Sequence, residues 1–304
     1  MVKERSAAKT RFRSLGRTGR LFALEGPVNI GLVEVPGGLL AVDTGLGEEA
    51  AGSVLRAAGE LGLEILYIFN THGHADHIGG NHHLLKHTRA RVLAPREEAP
   101  FLTNTYLEPV SLVGGAPYRE ISGKFLLARP DRVDELVEPG PLPGLEGLEA
   151  VSLSGHSVGM LGLRCEDVLF SADAFFPPSL IDKHGLLYVY HPGRCLETLD
   201  RLALEREALL VPSHGPVTGF DPAEVIGANR RHLMETREYI LEETADGADR
   251  EALTARLAVR LGLPDNHVSW ALALGTVQGY LTALTEEGLI SSAVTGGRLL
   301  WRRK

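Results

Sequence analysis

Short apolar runs separated by glycine-rich turns dominate the first two thirds of the chain. LFALEG (21–26) and VNIGLVEV (28–35) have strand length, and the glycines of PGG turn the chain into LLAVDTG, so residues 28–43 predict a hairpin. GEEAAGSVLRAAGELG (47–62) has a helical composition, and EILYIFNT (64–71) follows as a buried strand. Residues 78–88 predict another helix and ARVLAP (90–95) a short strand. Downstream, LEAVSLS, GMLGLRC and DVLFSAD predict three strands, the last two joined at Glu166 and Asp167. A helix around 193–206 and the strand ALLVPS complete this part. Strands in two antiparallel sets with interspersed helices call for two packed sheets covered by helices, an α/β arrangement. Residues 96–147 are irregular and rich in proline and glycine, the kind of long segment that supplies the wall of a site rather than core.

The pattern changes after Pro222. Residues 222–243, 248–261 and 266–286 predict three helices, followed by LISSAV, a Gly-Gly turn and RLLWRRK, the outline of a small winged-helix-like domain. The expected organisation is a flexible basic arm (1–19), a main domain (20–220) and a C-terminal domain (221–304). A chain of 304 residues has room for two domains, and 44% hydrophobic with 23% charged residues is ordinary for a globular protein. A net charge of −8 argues against a surface built for nucleic acid or anionic membranes. The helix best placed to read DNA, Asn266 to Glu287, has no lysine or arginine, so nucleic acid is not an expected partner. It carries an apolar stripe instead, including Trp270, Leu274, Val277, Tyr280 and Leu281. The surplus is expected to dock on the main domain or on a second copy, as a homodimer. Cys165 and Cys195 read as isolated buried thiols rather than a disulfide framework. The basic N-terminus lacks a signal peptide's apolar region and no run is long enough to span a bilayer, so a cytoplasmic, membrane-free location is expected.

The chemistry concentrates in FNTHGHADHIGG (69–80), which places His72, His74, Asp76 and His77 at the end of an apolar run. Gly73 and Ala75 are small enough for a sharp turn between these larger side chains. Imidazoles with a carboxylate suit zinc, and also iron or manganese. Further ligand types follow other strands: His156 in LSGHSVG, Asp173 in DVLFSADAFF and His214 in LLVPSHGPV. His83 and His87 share one helix face and read as solvated rather than as an extra site.

Asp43 in AVDTG, the HGHADH cluster, His156, Asp173 and His214 stand in the order of five motifs of the metallo-β-lactamase superfamily, which the chain resembles over roughly residues 20–220. The resemblance implies a four-layer αββα sandwich with a metal site at one edge. It implies a first metal on His72, His74 and His156, a second on Asp76, His77 and His214, and Asp173 bridging them. Asp43 would brace the histidine loop. Asp173 stands where the best-known zinc β-lactamases have no bridging aspartate, and His74 stands where flavodiiron proteins have glutamate. The stretch from Asp173 to His214 is too short for the insertion of RNA-processing nucleases. The branch implied is glyoxalase II-like or lactonase-like: two divalent cations, zinc foremost with iron or manganese admissible, and a bridging hydroxide attacking an ester, thioester or lactone carbonyl of a small molecule. Asp76 would also accept a hydrogen bond from that nucleophile, a catalytic role. His184, Tyr188 and Tyr190, in the proline-rich stretch after Asp173, are candidate substrate contacts. The alternatives are a metal-dependent nuclease or phosphodiesterase on the same site, a mononuclear iron persulfide dioxygenase, and a ligand-sensing regulator with a catalytically dead domain.

Overall fold

The computed structural model of the protein describes residues 12–205 and 209–304. Seven strands form the first sheet in sequence order: β1 (Phe12–Leu15), β2 (Leu21–Leu24), β3 (Ile30–Val35), β4 (Gly38–Val42), β5 (Ile65–Phe69), β6 (Arg91–Pro95) and β7 (Glu135–Val137). β1 to β4 are antiparallel and joined by tight turns. β4 to β7 are parallel, which forces crossovers through α1 (Gly47–Leu61), α2 (Ala75–Ile78) and α3 (Asn81–His87), and through α4 (Ala99–Thr103) and α5 (Leu107–Val113). The second sheet holds β8 (Gly140–Pro141), β9 (Leu148–Ser152), β10 (Leu161–Cys165), β11 (Val168–Ala172) and β12 (Leu209–Pro212), in the order β12-β11-β10-β9-β8. Only β11 and β12 are parallel neighbours there, with α6 (Pro178–His184) and α7 (Pro192–Leu202) between them in sequence.

Period-two alternation assigns the two faces of each sheet. Leu21, Ala23, Val33, Leu40 and Val42 point inward against Leu161, Leu163 and Phe170 of the second sheet. Their neighbours Phe22, Leu32, Leu39 and Ala41 point outward against Val54, Ala57 and Ala58 of α1 and Leu84 of α3. Strands covered on both faces read as continuous apolar runs, as LFAL and GLLAV do. The outer face of the second sheet packs on α7 and on α8 (Pro222–Glu243), which completes the four layers expected from sequence.

Two local expectations differ. Phe12 to Leu15, placed in a flexible arm, pair with β2 as an edge strand, held by burial of Leu15 and an edge-on contact of Phe12 with Phe22. Residues 1–11 of that arm lie outside the described residues, as do 206–208, where a helix end and the start of β12 were expected. The single helix expected over 78–88 is two, α2 and α3, broken at Gly79 and Gly80. The backbone comes so close here that a Cβ on Gly80 would sit 2.4 Å from the Thr44 carbonyl.

Beyond α8 the chain forms α9 (Arg250–Leu261), α10 (His267–Glu286) and the hairpin β13 (Ile290–Thr295) and β14 (Arg298–Arg303). Asp221, Asp249 and Asn266 cap the three helices with side-chain oxygens, as cap preference dictates. These elements share one buried cluster with the second sheet: Leu257, Val277, Tyr280 and Trp301 adjoin Leu153, Leu169 and Leu210. On its other side α10 meets the 96–147 segment, where Ala271 packs with Leu112, Ile121 and Leu126. The segment 221–304 therefore has the expected element order but shares its core with the main domain.

Candidate metal centre

Asp43 follows β4, the histidine loop follows β5, His156 follows β9, Asp173 follows β11 and His214 follows β12. These are the carboxyl ends of strands running in one sense within each sheet, so every ligand candidate emerges at the same edge of the sandwich. Two of the three described non-glycine residues with positive φ lie here, Asp43 (60°) and Ala172 (49°). Such backbone strain persists where the surroundings over-determine it.

Two ring nitrogens, His72 Nε2 and His156 Nε2, each lie 3.0 Å from His74 Nδ1. The far nitrogens are tied down. His156 Nδ1 donates to the Tyr188 carbonyl (3.1 Å), His214 Nδ1 to the Pro27 carbonyl (2.8 Å) and His77 Nδ1 to Asp43 Oδ2 (2.8 Å). Asp43 also accepts from the Thr71 backbone N–H and hydroxyl, and the Thr71 oxygen lies 3.0 Å from His72 Nδ1. With each Nδ1 spent as a donor, His72, His77, His156 and His214 turn their Nε2 atoms toward one another.

Asp173 lies between the two groups. Its Oδ1 is 3.4 Å from His77 Nε2, and its Oδ2 is 3.4 Å from His214 Nε2 and 3.5 Å from His156 Nε2. Asp76 reaches His77 Nε2 at 3.8 Å and His214 Nε2 at 3.6 Å. These separations are long for hydrogen bonds but match ligands sharing one cation, since tetrahedral donors about 2.1 Å from a metal stand about 3.4 Å apart. His77 Nε2 and Asp173 Oδ1 are buried with no hydrogen-bond partner. Buried polar atoms are rarely left so, and a cation between them would satisfy both. The donor set thus fits metal, with His72, His74 and His156 as one group and Asp76, His77 and His214 as another.

Electrostatics agree. Burial pushes His72 well below the ordinary imidazole value and holds His74 and His156 down to about 4, leaving neutral rings able to ligate at neutral pH. Burial also pushes against a charged His77, yet Asp173, Asp76 and Asp43 together lift it well above its ordinary value. Asp173, disfavoured as an anion by burial, is held well below the carboxylate range by His214 and His77. Positive charge is favoured at this spot.

Two further carboxylates complete the frame, and sequence reasoning missed both. Glu98, 2% exposed, accepts from the Gly73 N–H (3.0 Å), the Ser157 hydroxyl (2.7 Å) and the Gly159 N–H (2.7 Å). It staples the loop of His72 and His74 to that of His156. Glu108 accepts from the Ala75 N–H (3.1 Å), and burial followed by the nearby Asp76 pushes its carboxyl well above the usual range. In sequence Glu98 looks like part of a polar turn, REEAP; only the apolar setting of Glu108 in LEPVSLV hinted at burial.

A cavity of about 320 Å³ opens over the centre, with His74, Asp76, His156, Asp173 and His214 on its floor. His184 and Tyr188 line it, and the Tyr188 ring lies 5.5 Å from that of His74. The Tyr190 ring does not line it. This residue is half exposed, its N–H donates to the His156 carbonyl, and its own carbonyl packs over Gly279, so the expected substrate contact is replaced by a backbone one. His83 and His87 stack on each other, away from the ligand groups.

Comparison with known proteins agrees with this geometry. A hydroxyacylglutathione hydrolase of Methylobacillus flagellatus is 29% identical over 176 residues, 57% of this chain and 56% of that protein. The chain thus spans little more than half the length of that relative. A probable metallo-hydrolase of Bacillus subtilis is 29% identical over 221 residues, 62% of this chain and 80% of that one. A beta-lactamase domain protein from Burkholderia ambifaria has the same fold, with a TM-score of 0.73 at 19% identity over 99% of this chain and 96% of its own. The family model of the metallo-beta-lactamase superfamily matches residues 23–214, and the chain belongs to that superfamily.

Proposed function

We propose that the chain is a metal-dependent hydrolase that cleaves an ester, thioester or lactone bond of a small molecule with two divalent cations. The observation that carries this reading is the pair of orphaned, inward-facing atoms, His77 Nε2 and Asp173 Oδ1, between two groups of bare imidazoles. His72, His74 and His156 would hold one cation and Asp76, His77 and His214 the other, with Asp173 shared. When bound, the cations would supply an activated water at neutral pH and polarise the substrate carbonyl. Asp43 and Glu98 hold the ligand loops in register, so no reorganisation is needed at the moment of reaction. Asp76, whose side chain is one-third exposed and lines the cavity, would accept a hydrogen bond from the attacking water through a carboxylate oxygen. Tyr188, its phenol pushed above the ordinary value by burial, remains a hydrogen-bond donor on the wall. Neither cysteine competes as nucleophile: both are buried, and burial pushes the Cys195 thiol up to about 12.

The ligand types suit zinc first, then iron or manganese. Paired ligand groups favour two cations over the single iron of a persulfide dioxygenase. Among the described residues no lysine or arginine lines the wall, which disfavours a nuclease. We keep a cytoplasmic location as part of the proposal; among the described residues no helix is long and apolar enough to cross a membrane. The test is hydrolysis of a panel of thioesters, esters and lactones by the metal-loaded protein and by Asp173→Ala. Turnover that survives Asp173→Ala undiminished would sink the mechanism.

A further inference from the structure

The floor of the cavity explains the chemistry; the walls bear on what is bound. Leu112 and Phe125 come from the 96–147 segment, Phe176 and Leu187 from the stretch after Asp173, and Leu263 and Leu272 from the C-terminal segment, in the α9–α10 loop and in α10. Three distant parts of the chain thus converge on one apolar lining. Phe125, 61% exposed, carries it out to the mouth. Among the described residues no lysine or arginine lines the cavity, and the titratable groups above the floor are Glu108, His184 and Tyr188. An anionic handle such as the carboxylates of glutathione, or a phosphate, would find no fixed cation on these walls. Desolvating it there without a partner is costly.

We infer that this cavity takes the apolar acyl chain of an uncharged ester or thioester, its carbonyl on the floor between Asp76 and His156 and its tail against Leu112, Phe176 and Leu272. The assignment rests on the hydrolase reading. In the reaction the oxygen of water bonds to the acyl carbon, the C–O or C–S bond breaks, and the leaving oxygen or sulfur takes up a proton. The volume of about 320 Å³ lies at the lower end of ligand sites. At roughly 30 Å³ per water-sized group it has room for about ten such groups, an acyl chain of medium length. The C-terminal segment then has a role: α10 is the far wall of the acyl site. It is fixed there by Ala271 against Leu112 and Leu126, and by Gly279, where a Cβ would come within 2.5 Å of the Tyr190 carbonyl.

The experiment has two arms on the metal-loaded protein. Calorimetry measures binding of unreactive n-alkanols from butanol to decanol. Kinetics measure kcat/KM for p-nitrophenyl esters from acetyl to decanoyl beside S-lactoylglutathione. Each added methylene is expected to raise both alkanol affinity and kcat/KM about fourfold until the cavity is full. Leu272→Arg, and independently Leu180→Lys on the half-buried face of α6, are expected to flatten both series. Two variants keep the test decisive if one folds poorly. Alkanol affinity that does not rise with length, or a higher kcat/KM for S-lactoylglutathione than for the octanoyl ester, overturns this inference while leaving the hydrolase reading intact. Graded alkanol binding with no turnover of any ester or thioester overturns the hydrolase reading, and the acyl substrate with it.

Discussion

Removing the Glu98 carboxylate tests how the centre is built. It receives three hydrogen bonds, from Gly73, Ser157 and Gly159, in a site almost without solvent. Hydrogen bonds to a charged group contribute about 1.5–3 kcal/mol each, and every buried donor left unpaired costs about 1–3 kcal/mol. Part of this is offset, because burial pushes the Glu98 carboxyl up while its three donors pull it back. The expected net destabilisation of Glu98→Ala is therefore about 3–5 kcal/mol, a large share of a typical folding free energy of about 5–15 kcal/mol. Glu98→Gln keeps one carbonyl oxygen for Ser157 and Gly159 but turns an amide N–H toward the Gly73 N–H, so about 1–3 kcal/mol is expected. Because the stapled loops carry His72, His74 and His156, Glu98→Ala should also weaken metal binding about 10–100-fold, the usual effect of losing a partner behind metal ligands. Urea unfolding of metal-stripped protein measures the first effect and competition with a chromophoric chelator the second. Stability within about 0.5 kcal/mol of wild type, with unchanged metal affinity, would refute the reasoning.

Asp43→Asn should lower metal affinity about 10–100-fold while leaving the fold near wild-type stability. The amide still accepts from Thr71 but no longer fixes the His77 tautomer; titration calorimetry with zinc reads it, and unaltered affinity would remove Asp43 from the account. Glu108→Gln should stabilise the metal-stripped protein increasingly as pH rises. The folded chain holds the Glu108 proton well above the unfolded value of about 4.3, so wild-type stability from the protonated form is complete below that pH and lost as pH climbs through the folded value. Gln keeps the acceptor for Ala75 and has no proton to lose, so melting curves that stay parallel across the pH range would contradict this. Asp173→Ala should abolish turnover and empty at least one cation position, as read by metal analysis beside kinetics.

His156, Asp173 and His214 stood out as ligand candidates because each is a lone polar residue just beyond an apolar run, and His72, His74, Asp76 and His77 because they crowd into one loop after β5, so strand ends aim all seven at a shared edge. Asp43 was legible only through its motif. Glu98 and Glu108 were not, since their burial depends on loops far off in sequence: Glu98 is 25 residues from Gly73 and 61 from Gly159. β1 escaped notice because FRSL exposes Arg13 and Ser14 at a sheet edge and buries only Leu15. The break at Gly79 and Gly80 answers a backbone approach from Thr44 that no local propensity encodes. The C-terminal helices were legible from their pattern of apolar positions. Where they dock was not, because an apolar stripe looks the same whether it closes a separate core, a dimer or, as here, the wall of a neighbouring cavity.

The measurement that bears most directly on the central claim is metal content per chain, determined on protein purified without metal supplementation and again on Asp173→Ala. Two zinc, manganese or iron atoms per chain, falling to one or none in the variant, is the expected result. A single iron per chain, retained in Asp173→Ala and accompanied by oxygen uptake rather than hydrolysis, would contradict it.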